Sequence, residues 1–190
     1  MWPLRRLAPL LAAVALACGD APDPTAELEV PVRVGSVGVD RFNSPVVILE
    51  EQDGPRMLPI WIGAAEAVSI AAHLHNHPPA RPNFHDLAKR VIQSVEAQLV
   101  RAVVTELRDG TYYATLELRT NGKVVEIDVR PSDAIAVAVR LDAPILVREG
   151  LFEQARDALT PDDSGQSVRF ESPRGARPPG SQPATPALEL

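Results

Sequence analysis

From Val30 to Val39 valines alternate with Arg, Gly and Ser. This is the two-residue period of a strand with one buried face. Val46 to Leu49 predicts a second, shorter strand after the Asn43-Ser44-Pro45 turn, and Leu58 to Ile62 a third. Asp53-Gly54-Pro55 supplies the turn between them. Gly63 ends the third strand, and the alanine-rich stretch from Ala64 to His75 predicts a helix. Three prolines between Asn76 and Pro82 stop that helix. Asn83 then predicts the cap of a second helix, with Asp86 as the capping-box acid. Leu87, Val91, Ile92 and Val95 follow at the spacing of a buried helical face.

Asp109-Gly110 and Asn121-Gly122 are strong hairpin turns that divide 99–130 into a three-strand meander. Counting outward from two-residue loops sets the expected register. Leu118 faces Val125, Leu116 faces Ile127 and Ala114 faces Val129. In the first hairpin Leu107 faces Tyr112, Thr105 faces Ala114 and Val103 faces Leu116. The opposite face is polar: Glu117 stands across from Glu126, Thr115 from Asp128 and Tyr113 from Arg130. Directly opposed like charges destabilise a sheet, so a basic neighbour, a metal ion or exposure has to compensate.

Pro131 breaks the third meander strand. Ser132 is expected as the N-cap of a small-residue helix over 134–141, with Asp133 in its first turn against the helix dipole. A short strand over 145–147 and an amphipathic helix over 151–159 complete the pattern. The fold class is α+β: a single domain over 30–158, with a mixed, largely antiparallel sheet, a three-strand meander and packed helices.

Charge narrows the functional classes. The chain of 190 residues carries a net charge of −6. Residues 30–158 hold fourteen Lys/Arg against seventeen Asp/Glu, a net of −3. Composition therefore gives no support to a broadly basic nucleic-acid surface and leaves only a local groove open.

The ends read differently from the centre. Arg5 and Arg6 precede an apolar run too short to span a bilayer, so 1–17 reads as a signal peptide. Ala15-Leu16-Ala17 before Cys18 resembles a bacterial lipobox, which implies lipidation of Cys18 and an exported, membrane-anchored protein of the cell envelope. The alternative is a secreted chain with an incidental thiol. One cysteine permits no disulfide within the chain. Residues 18–29 read as an acidic tether and 159–190 as a disordered Pro-rich tail.

Three segments, in order, resemble the bifunctional nuclease family: LPIWIGAAEAVSIA (58–71), RPNFHDL (81–87), and DGTYYATLEL through EIDVRPSDAIAVAVR (109–140). The resemblance covers about 34–158. It implies cleavage of RNA and DNA, and a fold compatible with homo-oligomers.

Each candidate residue has two readings. His85 and Asp86 match the family's His-Asp-Leu, and stand at a helix N-terminus that favours phosphate. Capping alone explains Asp86. Asp128, Arg130, Ser132 and Asp133 match a second polar motif. Arg130 is suited to hold a phosphate, or to pair with Asp133 and lock the turn. Glu117, Glu126 and Asp128 form an acidic cluster suited to Mg²⁺ or Mn²⁺, or a solvated face with Arg101 and Arg119 nearby. His73, His75, His77 and His85 fall within thirteen residues. Alternate positions do not share a helix face, and a helix C-terminus favours charged His, so a structural role is the simpler reading. Glu66 is explained by the dipole of the first helix.

The leading expectation is a metal-assisted phosphodiesterase acting on RNA or DNA. Asp86, Asp128, Glu126 and Glu117 hold the ion, His85 shuttles a proton, and Arg81 or Arg130 steadies the phosphate. The alternative is a non-catalytic envelope binding or assembly module. A third is a His-dependent metal-binding protein.

Overall fold

The computed structural model describes residues 28–159, with side chains placed through 156. Residues 1–27 and 160–190, where a signal peptide, a lipidated Cys18, most of a tether and a Pro-rich tail are expected, lie outside the described residues. Seven strands form one mixed sheet: β1 (Glu29–Val39), β2 (Pro45–Glu51), β3 (Met57–Trp61), β4 (Gln98–Arg108), β5 (Thr111–Thr120), β6 (Lys123–Val129) and β7 (Ile145–Arg148), in the order β3-β2-β1-β7-β4-β5-β6. β7 joins the two halves, antiparallel to β1 and parallel to β4. The helices are α1 (Ala64–Leu74), α2 (Phe84–Ser94), α3 (Pro131–Leu141) and α4 (Gly150–Leu159). None of the described helices is long and apolar enough to cross a membrane.

Strand alternation builds the core. Val32, Val47, Leu49, Leu58, Ile60, Ala102, Val104, Ala114 and Val147 join one buried cluster with Ala134 to Ala138 of α3. α3 packs on β4 and β5 and touches both α1 and α2. Its run of small side chains lets backbone approach backbone, which removes apolar surface from water without large side chains. α4 adds Leu151, Phe152 and Ala155.

The meander holds as expected from its turns. Asp109, Gly110, Asn121 and Gly122 all have positive φ, between 50° and 75°, as type I′-like turns need. The β5–β6 register is as counted, from Ala114↔Val129 to Leu118↔Val125. The β4–β5 register holds next to the turn, where Leu107 faces Tyr112, and then differs. Irregularities between Leu99 and Arg101 and between Val104 and Glu106 shift the pairing, so Ala102 faces Leu116 and Val104 faces Ala114. A bulge turns the side-chain alternation over by one residue, which a count from the loop cannot see. The β6 ladder ends at Val129, so Arg130 has no strand partner opposite Tyr113.

Two helix expectations are corrected. α3 begins at Pro131, with Arg130 at the N-cap and no side-chain cap bond. Proline suits the first helical turn because its missing N–H is not needed there, so Ser132 lies inside the helix, buried. α2 has the expected Asn83–Asp86 capping box. Its buried residues, however, are His85 and Ile92, while Phe84, Leu87, Val91 and Val95 face outward.

Candidate functional site

The capping box fixes where α2 starts, and that start sets the site. Asn83 Oδ1 accepts from the Asp86 backbone N–H at 3.0 Å, and the Asp86 carboxylate accepts from the Asn83 N–H at 3.0 Å. This turns His85 inward. Its Nε2 meets Asp133 Oδ1 on α3 at 3.1 Å, and its Nδ1 meets Ser69 Oγ on α1 at 2.8 Å. Ser69 Oγ also accepts from Arg140 Nη2 at 2.8 Å and from Asn83 Nδ2 at 2.9 Å.

Donor counting assigns the protons. Two donors fill both lone pairs of the Ser69 oxygen, so its hydroxyl hydrogen points at His85 Nδ1. His85 then accepts at Nδ1 and donates through Nε2 to Asp133. The residue types match a nucleophile–base–acid relay. The geometry does not serve that role, because Ser69 and His85 are each only 6% exposed and the serine oxygen is saturated. His85 is a buried link between three helices, with both ring nitrogens engaged within the protein.

Two guanidinium groups extend the network. Arg140, 3% exposed, donates to Asp86 Oδ1 at 2.7 Å, to the Ala136 carbonyl at 2.8 Å and to the Ser69 carbonyl at 3.1 Å. Arg130 donates to Asp133 Oδ2 and to Glu66 Oε1, each at 2.7 Å. Burial opposes ionisation of Asp86, but the Arg140 guanidinium and the Asn83 N–H outweigh it and lower its pKa. Asp133 is likewise penalised by burial and held low by Arg130 and His85. Arg130 is pushed up by Asp133 and Glu66. Among the described residues no buried side-chain polar atom lacks a partner.

The sheet separates the second set of candidates from this network. Ala114, Leu116, Ile127 and Val129 point to the helices, so Thr115, Glu117, Glu126 and Asp128 point the other way. Glu126 and Asp128 are exposed there. Arg101 compensates the Glu117–Glu126 opposition, donating to Glu117 at 2.6 Å and also to Glu29. Asp128 therefore does not share a site with His85 and Asp86. Among the described residues no group of three or more His, Cys, Asp or Glu is arranged to hold a metal ion. In the network each carboxylate already faces a guanidinium, so this donor set does not fit a resident divalent ion. Arg81 is exposed and outside the network.

A groove opens beside Asp86 and Arg140, between the end of α1, the loop that follows it and the outer side of α2. Its volume is about 740 Å³, and Lys89, Arg90, His73, Asn76 and Gln93 line it. Lys89 and Arg90 make no ion pair among the described residues. The groove is thus basic in a domain that is acidic as a whole. Sequence reading missed Lys89, Arg90, Ser69 and Arg140. Ser69 and Arg140 carried a signal, as polar residues inside otherwise apolar helical faces.

An α+β domain with two sequence-distant polar motifs locked together under a basic groove defines the class. The family model for the bifunctional nuclease domain matches residues 47–159, and the chain belongs to that family. It is similar to Uncharacterized protein Rv1829 of Mycobacterium tuberculosis, 39% identical over 138 residues, covering 72% of this chain and 82% of that protein. It is also similar to Bifunctional nuclease 1 of Arabidopsis thaliana, 35% identical over 113 residues, covering 56% of this chain and 34% of the relative. Bifunctional nuclease 2 of Oryza sativa subsp. japonica is 32% identical over 160 residues, 77% of this chain and 47% of the relative. The chain thus spans less than half the length of these two plant proteins.

Proposed function

We propose that this protein is a nuclease whose substrate strand lies in the groove along α2. The observation that carries the reading is the unpaired basic wall of Lys89 and Arg90 next to the clamped Asp86–Arg140 pair. Phosphate contacts supply most of the affinity for a nucleic-acid strand, and Lys89 and Arg90 are two cations without an ion-pair partner among the described residues. The role of the His85 network is to hold α1, α2 and α3 in register so that this wall keeps its shape. The family's nuclease-named plant relatives support the reaction class.

The test is cleavage of end-labelled single-stranded RNA and DNA by the purified protein, with Mg²⁺, with Mn²⁺ and with chelator. Cleavage that follows the protein through purification is expected. A preparation inert in all conditions removes the enzyme reading.

A second reading, a binding or assembly module, is favoured by a different observation. Phe84, Leu87, Val91 and Val95 form an exposed apolar stripe on α2, and the edge strand β6 exposes Val124, Val125 and Ile127. Such surfaces are commonly covered by a partner, and an open edge strand suits a second copy of the chain. Leu87→Asp leaves the apparent mass unchanged in sedimentation if the stripe is not an interface. Anchoring in the cell envelope through Cys18 rests on the lipobox-like motif. Its check is palmitate labelling, expected to disappear in Cys18→Ser.

A further inference from the structure

His73 stands in the last turn of α1, and its Nε2 lies 2.8 Å from the Val139 carbonyl oxygen of α3. A carbonyl only accepts, so Nε2 carries the proton and Nδ1 is the basic nitrogen of the neutral ring. Among the described residues Nδ1 makes no hydrogen bond. His73 is one of the residues that line the groove, with Asp86, Lys89, Arg90 and Arg140. His85 is the opposite case: both of its nitrogens are engaged and the ring is buried.

A general base needs one nitrogen held by a fixed acceptor and the other free toward the reacting group. His73 has its Nε2 so held and its Nδ1 without a hydrogen bond, and Lys89 and Arg90, which line the same groove, are the groups suited to gather a phosphodiester. We propose that His73 is the general base of strand cleavage, an inference that rests on the nuclease reading. A water molecule in the groove attacks phosphorus, forming the new P–O bond, and its proton passes to Nδ1. The P–O bond to the sugar oxygen breaks, and that oxygen takes a proton from solvent. The imidazolium then returns its proton to solvent, and no electron transfer is involved. Because the nucleophile is water, the step applies to RNA and DNA alike.

The experiment compares wild type, His73→Gln and His73→Ala on a labelled single strand. Both variants are expected to lose about 10²–10⁴-fold in kcat with KM within roughly twofold, the range for removal of a positioned base. Added imidazole is expected to restore turnover at least about tenfold in His73→Ala, which a merely structural histidine would not allow. Turnover within about threefold of wild type in His73→Gln, or a loss that imidazole does not relieve, overturns the assignment of His73 and leaves the nuclease reading standing. An inactive wild type removes the nuclease reading itself, and the base with it.

Discussion

His85 Nε2 lies 3.1 Å from Asp133 Oδ1, so residues 48 positions apart in sequence lock the start of α2 to the start of α3. The imidazole is only 6% exposed and its other nitrogen is held by Ser69. Its removal leaves the Ser69 hydroxyl hydrogen without its acceptor, takes one donor from Asp133 and empties a buried space between the helices. His85→Ala is therefore expected to cost about 2–4 kcal/mol, a drop in Tm of roughly 10 °C. Thermal unfolding followed by circular dichroism checks this. A variant that melts with wild type while losing turnover would return His85 to a catalytic role.

Arg140 is the most deeply placed cation of the network, with contacts to Asp86, Ser69 and Ala136. Deleting one partner of a buried ion pair costs about 3–5 kcal/mol, because the other charge is left uncompensated. Arg140→Ala should approach that figure in urea unfolding. A loss under about 1 kcal/mol would mean that Asp86 is satisfied by its capping bond alone.

Acid should loosen the same network. Asp86 and Asp133 have pKa values below their ordinary 3.8. A lowered folded-state value means that the unfolded chain binds the proton more tightly. The contribution is complete above the ordinary aspartate value and is lost as pH falls through the lowered folded values. Stability measured between pH 6 and pH 2 should fall most steeply below about pH 4, and Asp133→Asn should flatten that fall. An equally steep fall in the variant would place the acid sensitivity elsewhere.

On the other face of the sheet the expectation is neutrality. Asp128 is exposed, lies across from Thr115, and forms no ion pair among the described residues. Asp128→Asn should stay within about 0.5 kcal/mol of wild type and keep full turnover. A large loss of turnover without a loss of Tm would show that the acidic face takes part in the reaction.

The parts of this protein legible in its sequence are those governed by local chemistry. Asn83 and Asp86 formed their capping box, the two X-Gly turns placed the meander, and Pro131 ended β6. Arg130 paired with Asp133 through a three-residue spacing. Long-range facts were not legible. The β4 irregularities moved Thr105 and Val103 out of the expected pairs, and no local signal marks them. The apolar spacing of Leu87, Val91 and Val95 is that of a core face, yet α2 turns His85 and Ile92 inward because His85 is held by Ser69 and Asp133. Asp128 and Asp133 are five residues apart but sit on opposite sides of the sheet, since strand alternation and then the helix start decide which way each points. The basic groove arises only when α1 and α2 are placed together, so Lys89 and Arg90 read from sequence as ordinary solvated charges.

The claim that the α2 groove holds the substrate strand is tested most directly by binding as a function of salt. A labelled, hydrolysis-resistant phosphorothioate single strand is titrated with wild type and with the Lys89→Ala/Arg90→Ala double variant. Each phosphate contact on a single strand contributes about 0.7 to the slope of log affinity against log salt, so losing two should reduce the slope by about 1.4 and weaken binding at low salt. Equal affinity and equal slope in the two proteins would contradict the account.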